Sequence, residues 1–460
     1  MSRTLREYLG ALQSKKVAVV GIGISNTPLI RRLLQAGIAV TACDQKAREQ
    51  IGSLAEELEE MGAQLKLGPT YLEDLDQDVI FRSPGIRPDI PPFQKARDRG
   101  ACITSEMEVF FQVCPCPIIA VTGSDGKTTT TSLIAQMLKN AGYTVHLGGN
   151  IGKPLLAEVE AMQADDIAVL ELSSFQLMTL GQSPKIAVVT NLSPNHLDVH
   201  TSMDEYREAK EAIFRYQKAG DVAVFNRDNE ETYAMSQKAK GEVILFSRYS
   251  LDYGVFVKDG VIYLSDQKGE HQLFATGEIL IPGQHNVENY LAAIAAVHDL
   301  VSPQVMEETA KTFPGVEHRI ELVRTLNDVR YYNDSIASSP TRTIAGLHSF
   351  SQKVILIAGG YDKKIPFEEL GEEICRHVKT VVLNGHTAAK IQTAIIAAPS
   401  YGEGQPEIIM AADFQDAVLH AHKRAEPGDE VILSPACASF DQFPNFAERG
   451  RAFKQLVNNL

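Results

Sequence analysis

Ile118-Ile-Ala-Val-Thr-Gly-Ser-Asp-Gly-Lys-Thr-Thr-Thr-Thr131 reads as a buried strand that turns through a glycine-bracketed loop into a helix. Gly123 and Gly126 let backbone N–H groups come close to an anion, and the following helix N-terminus favours negative charge. Lys127 can reach β and γ phosphates, and the Thr128 hydroxyl can sit on Mg²⁺. Ser124, Asp125 and Thr129 complete the candidate loop. The usual phosphate loop has four residues between its glycines and this one has two, so a βα turn that merely contains Gly-Lys-Thr stays open.

The same pattern extends along the chain. Short β-branched runs end in small or polar residues: Val17–Val20, Ile167–Leu170, Ile186–Val189, Val222–Phe225, Val243–Phe246, Val354–Ile357, Val381–Leu383 and Val431–Leu433. Near-continuous apolar strands imply parallel sheets buried on both faces, with ligands at the carboxyl ends of the strands. Breaks at Cys114-Pro-Cys-Pro117 and Phe313-Pro-Gly315 suggest domains 1–114, 115–313 and 314–460. Residues 249–275 alternate and carry Asp259-Gly260, the signature of an antiparallel hairpin.

Composition excludes several classes. With 44 Lys+Arg against 58 Asp+Glu, the net charge is −14, which argues against nucleic acid as a partner. Phosphate must then be bound by a few placed cations, helix termini or a metal. No apolar run suits membrane insertion and the N-terminus has no signal-peptide core, so a cytoplasmic location is expected. Six cysteines are too few for a disulfide scaffold, and the Cys114/Cys116 pair has no zinc-finger companion.

Polar groups gather after the strands that follow the loop. Glu171 opens Glu171-Leu-Ser-Ser-Phe-Gln-Leu177, where a carboxylate can hold Mg²⁺. Thr190-Asn-Leu-Ser-Pro-Asn-His196-Leu-Asp198 ends the next strand, and Tyr206 and Lys210 lie four apart on a helix. Taken singly, Glu171 could be a surface charge, His196 a structural histidine and Lys210 a solvated lysine.

Together these stretches, with Gly283-Gln-His-Asn-Val-Glu-Asn289, resemble the Mur ligase family over essentially the whole chain. Ser83-Pro-Gly-Ile86, Asn333-Asp-Ser335 and Ser434–Phe443, followed by Asn445-Phe446 and Glu448-Arg-Gly450, are similar to the branch that adds D-glutamate; no Asp-Asn-Pro-Arg stretch of the diaminopimelate-adding branch is present. The resemblance implies a three-domain α/β fold: a Rossmann-like N-terminal domain, a central P-loop ATPase-like domain with a parallel sheet plus a small antiparallel element, and a Rossmann-like C-terminal domain. It implies ATP-dependent addition of D-glutamate to UDP-N-acetylmuramoyl-L-alanine through an acyl phosphate, by a monomer.

It also implies roles for residues. Lys127, Glu171, His196 and Lys210 would be catalytic, and two Mg²⁺ would be held by Thr128, Glu171, His196 and a Lys210 carbamylated by CO₂. Asn286 and Asn289 would contact adenine, Arg319 the ATP phosphates and Asp334 the ribose. Gly23, Ile24, Ser25, Asn26, Asp44, Ser83, Pro84 and Gly85 would hold the UDP part, with Asn150 and His196 nearer the muramoyl group. Ser338, Lys363, Ser439 and Phe446 would take D-glutamate; Lys364 is adjacent to Lys363, and the choice between them stays open.

Three rivals remain at this level. One is another amide ligase of the superfamily, of the folylpolyglutamate-synthetase kind. Another is an NAD oxidoreductase, suggested by Gly21-Ile-Gly23-Ile-Ser-Asn26, although Asn26 replaces the third glycine of that fingerprint. The last is a non-enzymatic nucleotide-binding regulator.

Overall fold

A computed structural model describes residues 3–194, 199–267, 269–402 and 404–460. The chain forms a three-domain α/β fold with one sheet per domain, and its contacts divide into two compact units. The first unit is Met1–Thr276 with Glu288–Thr309, and the second is Gly277–Val287 with Ala310–Leu460.

The first unit holds two sheets. Strands β1 (Val17–Val20), β2 (Val40–Asp44), β3 (Gln64–Leu67), β4 (Val79–Arg82) and β5 (Cys102–Thr104) form a parallel sheet in the order β3-β2-β1-β4-β5. The order reverses at β1, and a crevice opens at the carboxyl ends of strands at such a switch point. Every residue of β1 and β4 is buried, as strands covered on both faces require.

The second sheet has β6 (Ile118–Thr122), β7 (Val145–Gly149), β8 (Ile167–Glu171), β9 (Ile186–Val189), β10 (Val222–Asn226), β11 (Glu242–Ser247), β12 (Gly254–Lys258), β13 (Val261–Asp266) and β14 (Gly269–Ala275). Their order is β14-β13-β12-β11-β10-β9-β6-β8-β7. β6 lies between β8 and β9, with Val121 level with Glu171 and Thr122 level with Val189. That register brings Gly123, Leu172 and Thr190 to one edge. β12 and β13 are antiparallel, and Asp259 (φ 52°) and Gly260 (φ 74°) make the two-residue turn that the Asp-Gly signature predicts.

One apolar cluster joins the two sheets. It runs from Leu5 and Val17 through Phe110 and Val113 to Leu156, Leu170 and Phe225. Arg82, 1% exposed, crosses from the first sheet to donate to the Phe175 carbonyl and Thr179 Oγ1. Arg87 donates to the Val199 carbonyl and to both oxygens of Glu205, at the start of the helix Met203–Arg215.

In the second unit β15 (Glu321–Leu326), β16 (Val329–Asn333), β17 (Val354–Ala358), β18 (Val378–Leu383), β19 (Glu407–Met410) and β20 (Glu430–Leu433) run in the order β15-β16-β20-β17-β18-β19. Only β15 is antiparallel to its neighbour. Apolar clusters cover the two faces, one around Leu356, Leu383 and Ile432, the other around Ile357, Val382 and Phe453. Among the described residues no helix is long and apolar enough to cross a membrane.

Candidate active site

The loop after β6 is built for close approach. Gly123 has φ 152° and Gly126 φ 77°. A Cβ on Gly123 would fall 1.9 Å from Thr190 Oγ1, and one on Gly126 2.4 Å from Asn289 Oδ1. Only glycine fits either place. Gly126 caps the helix Lys127–Asn140, so the helix N-terminus faces the loop. The loop is tied to the end of β9: Thr190 Oγ1 donates to the Asp125 carbonyl, the Asp125 N–H to Asn191 Oδ1, and Ser124 Oγ to the Ser193 carbonyl. Lys127 Nζ folds back onto the carbonyls of Gly123 (3.1 Å) and Ser124 (2.8 Å), at the loop where phosphates would bind. Thr128 is half-buried in the first helical turn, and Thr129 is buried behind it.

Lys210 is not a solvated lysine. It is 1% exposed, donates to the Gly123 carbonyl at 2.8 Å and to Thr122 Oγ1 at 3.3 Å, and lies over the Tyr206 ring. Burial, then the positive charge of Lys127, pushes its amine well below the ordinary lysine value. Lowering an amine's proton affinity makes its nucleophilic neutral form easier to reach.

Glu171 closes β8 and is 1% exposed. Its Oε1 accepts from Asn150 Nδ2 at 2.8 Å, while Oε2 is buried with no hydrogen-bond partner among the described residues. An uncompensated buried carboxylate oxygen is costly, and a hard cation is the partner such an oxygen suits. Glu171 and Thr128 therefore offer oxygen donors that fit a Mg²⁺ region, and the buried Lys210 amine lies on the adjoining loop. His196 lies outside the described residues.

The switch-point crevice of the first sheet holds the other candidates of this unit. Gly21 has φ 96°, and a Cβ there would meet Ser83 Cβ at 2.7 Å, so the turn and the Ser83-Pro84-Gly85 loop are in contact. Asp44 Oδ2 accepts the Ile22 N–H at 2.6 Å, which draws the turn over the end of β2. Asn26 Nδ2 donates to the Gly21 carbonyl and opens the helix Asn26–Gln35. Gly23 is exposed, Ser25 is half-buried, and Ile24 is 85% exposed at the tip.

In the second unit, His318 (φ 65°) and Ile320 (φ 45°) flank Arg319 in left-handed backbone, and Arg319 is exposed. Asp334 is buried at the end of β16; Ser434 Oγ donates to its Oδ2, and burial pushes its carboxyl up to about 7. Lys363 Nζ reaches the Ser338 carbonyl at 3.3 Å, which brings two of the D-glutamate candidates together. Ser439 is buried, and Phe446, 39% exposed, opens the last helix. Asn286 Nδ2 donates to the Pro282 carbonyl.

Comparison with known proteins agrees with this layout. Residues 15–105 match the MurD-like N-terminal domain of Mur ligases, 121–297 the Mur ligase middle domain and 318–437 the Mur ligase glutamate ligase domain. The chain is 52% identical over 464 residues to the UDP-N-acetylmuramoylalanine–D-glutamate ligase of Acetivibrio thermocellus, with 100% of both chains covered. It belongs to the Mur ligase family. A protein of the same name from Clostridium kluyveri is 51% identical over 463 residues, again with full coverage of both. This Mur ligase chain also shares its fold with a solved UDP-N-acetylmuramoyl-L-alanyl-D-glutamate–2,6-diaminopimelate ligase (TM-score 0.58, 19% identity, 92% of this chain and 93% of that one). The UDP-N-acetylmuramate–alanine ligase of Thermotoga maritima is similar in the same sense (TM-score 0.56, 19% identity, 97% and 99%).

Two residues of the motifs in this Mur ligase chain gain a role from the structure. Tyr206 OH pairs with Ser124 Oγ at 3.1 Å, so the helix that carries Lys210 also braces the phosphate loop. Arg449, 3% exposed, donates to Ser335 Oγ and to the carbonyls of Ser335, Cys437 and Ala438. Burial pushes its guanidinium down to about 10. Tyr206 was visible as part of a motif, and Arg449 stands within Glu448-Arg-Gly450, but nothing in one sequence marks an arginine as buried.

Proposed function

We propose that the chain is an ATP-dependent ligase that joins D-glutamate to UDP-N-acetylmuramoyl-L-alanine in peptidoglycan precursor synthesis. The observation that carries this reading is the buried Lys210 amine on the Gly123 carbonyl, together with the glycine loop and a buried Glu171 oxygen that has no partner among the described residues. The proteins that are 51–52% identical over their full length bear that activity in their names.

The physical problem is to bring a carboxylate up to a triphosphate, two anions that repel each other. In the proposed reaction a carboxylate oxygen of the alanyl group attacks the γ-phosphorus, an O–P bond forms, and ADP leaves. The neutral D-glutamate amine then attacks the acyl carbon; the C–N bond forms, the acyl C–O bond breaks as phosphate leaves, and the nitrogen gives one proton to solvent and keeps the other as the amide N–H. Lys127 swings from the loop carbonyls onto the phosphates and offsets their charge, with the N–H groups of Gly123–Thr129 around them. Thr128, Glu171, His196 and Lys210, as a carbamate made when its neutral amine adds CO₂ and loses a proton, would hold two Mg²⁺. When bound, Mg²⁺ supplies charge neutralisation at the phosphates.

Residues 1–114 would carry the UDP moiety through the Gly23–Asn26 turn, Asp44 and Ser83–Gly85, with Asn150 beside the muramoyl group. Residues 115–313 would carry ATP, with Asn286 and Asn289 at the adenine. Residues 314–460 would supply Arg319 and Asp334 to ATP, and Ser338, Lys363, Ser439 and Phe446 to D-glutamate. A cytoplasmic monomer completes the reading.

The test is release of ADP and phosphate from ATP with UDP-N-acetylmuramoyl-L-alanine and D-glutamate, L-glutamate or other amino acids. Turnover with D-glutamate alone, with product heavier by one glutamyl unit, is expected. Turnover only with another amino acid would overturn the acceptor; ATP binding without turnover would favour a regulator.

A further inference from the structure

The second unit carries a side-chain cluster that the ligase chemistry does not use. His348 follows the helix Pro340–Leu347, and Glu373 and His377 lie one turn apart on the helix Glu368–His377. Glu373 Oε2 is 2.6 Å from His348 Nε2 and 3.3 Å from His377 Nε2. The two imidazole rings are 4.9 Å apart, and one ligand atom from each of the three residues lies within 4.8 Å of the others. Arg376 Nη1 holds the second oxygen, Glu373 Oε1, at 3.2 Å and leaves Oε2 to the histidines. The Glu373 side chain is 15% exposed, whereas that of His348 is 52% exposed and has room to move.

We propose that His348, Glu373 and His377 form a binding site for one Zn²⁺ ion, with the remaining position open to water. Two imidazoles and one carboxylate suit a borderline cation such as Zn²⁺, whereas Mg²⁺ prefers six oxygens. Tetrahedral Zn²⁺ with bonds of about 2.0–2.1 Å needs ligand atoms roughly 3.3 Å apart. The His377–Glu373 separation already meets this, and a small rotation of His348 meets it on the other side. A bound ion would join the end of one helix to the last turn of the other.

The experiment uses the full chain, stripped with chelator and dialysed into excess Mg²⁺ so that oxygen sites are filled. Zn²⁺ is titrated calorimetrically into wild type, His348→Ala, His377→Ala and Glu373→Gln, with each fold checked by circular dichroism. One equivalent in wild type is expected, weakened about tenfold or more in every variant, with ligase turnover in Mg²⁺ unchanged. Co²⁺ added to wild type should give the intense visible bands of a four-coordinate nitrogen–oxygen site, which decides the matter even if a variant fails to fold. Zn²⁺ affinity unaltered by the substitutions, no binding at all, or only the weak spectrum of octahedral Co²⁺ would overturn the proposal.

Discussion

Lys210 Nζ donates to the Gly123 carbonyl at 2.8 Å, so the proposed carbamate residue and the first loop glycine are in direct contact. The amine is buried, and burial together with Lys127 holds it well below the ordinary lysine value. Replacing it with alanine should lower turnover by about 10²–10³-fold, the scale of losing one preorganised charge-stabilising group. Acetate should return part of the rate by filling the gap with a carboxylate. Steady-state ADP release measures both, and an unchanged rate in Lys210→Ala would sink the carbamate role.

Gly126→Ala forces a Cβ to 2.4 Å from Asn289 Oδ1 at φ 77°. Left-handed backbone costs a non-glycine residue about 1–2 kcal/mol, and the loop must shift besides. Affinity for a non-hydrolysable ATP analogue should fall about tenfold or more. Unchanged calorimetric affinity would mean that the loop does not hold the nucleotide.

Lys363 touches the Ser338 carbonyl, whereas Lys364 (φ 59°) turns its N–H onto Asp362 Oδ1. Lys363→Ala should raise the KM for D-glutamate about 10–100-fold, because a dicarboxylate loses a cation. Lys364→Ala should barely change it, and the KM for ATP should hold in both. The reverse result would move the assignment by one residue.

Arg449 joins the Ser335 turn to Cys437–Ala438 through four acceptors. Arg449→Lys keeps the charge but loses the fork. A stability loss of about 2–4 kcal/mol in urea unfolding is expected, with a raised KM for D-glutamate. Unfolding that matches wild type would show that the acceptors find other donors.

Glu106 Oε1 accepts the Leu156 N–H, and burial pushes its carboxyl from 4.5 up to about 7. With the folded value raised, the stability it allows is complete below pH 4.5 and is lost as pH rises through about 7. Glu106→Gln stays neutral. It should equal wild type near pH 4 and exceed it by on the order of 1–3 kcal/mol at pH 8. A stability difference that is flat with pH would contradict this.

Much of this was legible along the chain. β1, β6, β8, β17 and β20 are runs of apolar residues because both faces of their sheets are covered, and that leaves a contiguous trace. Asp259-Gly260 and the glycine loop were equally visible, since turn chemistry is local.

The sequence by itself determined the three α/β domains, the phosphate loop and the candidate set, because strand burial, turn conformation and motif spacing depend on near neighbours. Tertiary structure alone decided that Lys210 is buried against Gly123, that Glu171 Oε2 lacks a donor among the described residues, that Arg449 ties two loops, and that His348 meets Glu373 and His377. These relationships join residues from separate elements, up to 114 positions apart. Sheet order and helix packing set such distances, and the charge state of a buried group follows from the low-dielectric surroundings that packing creates.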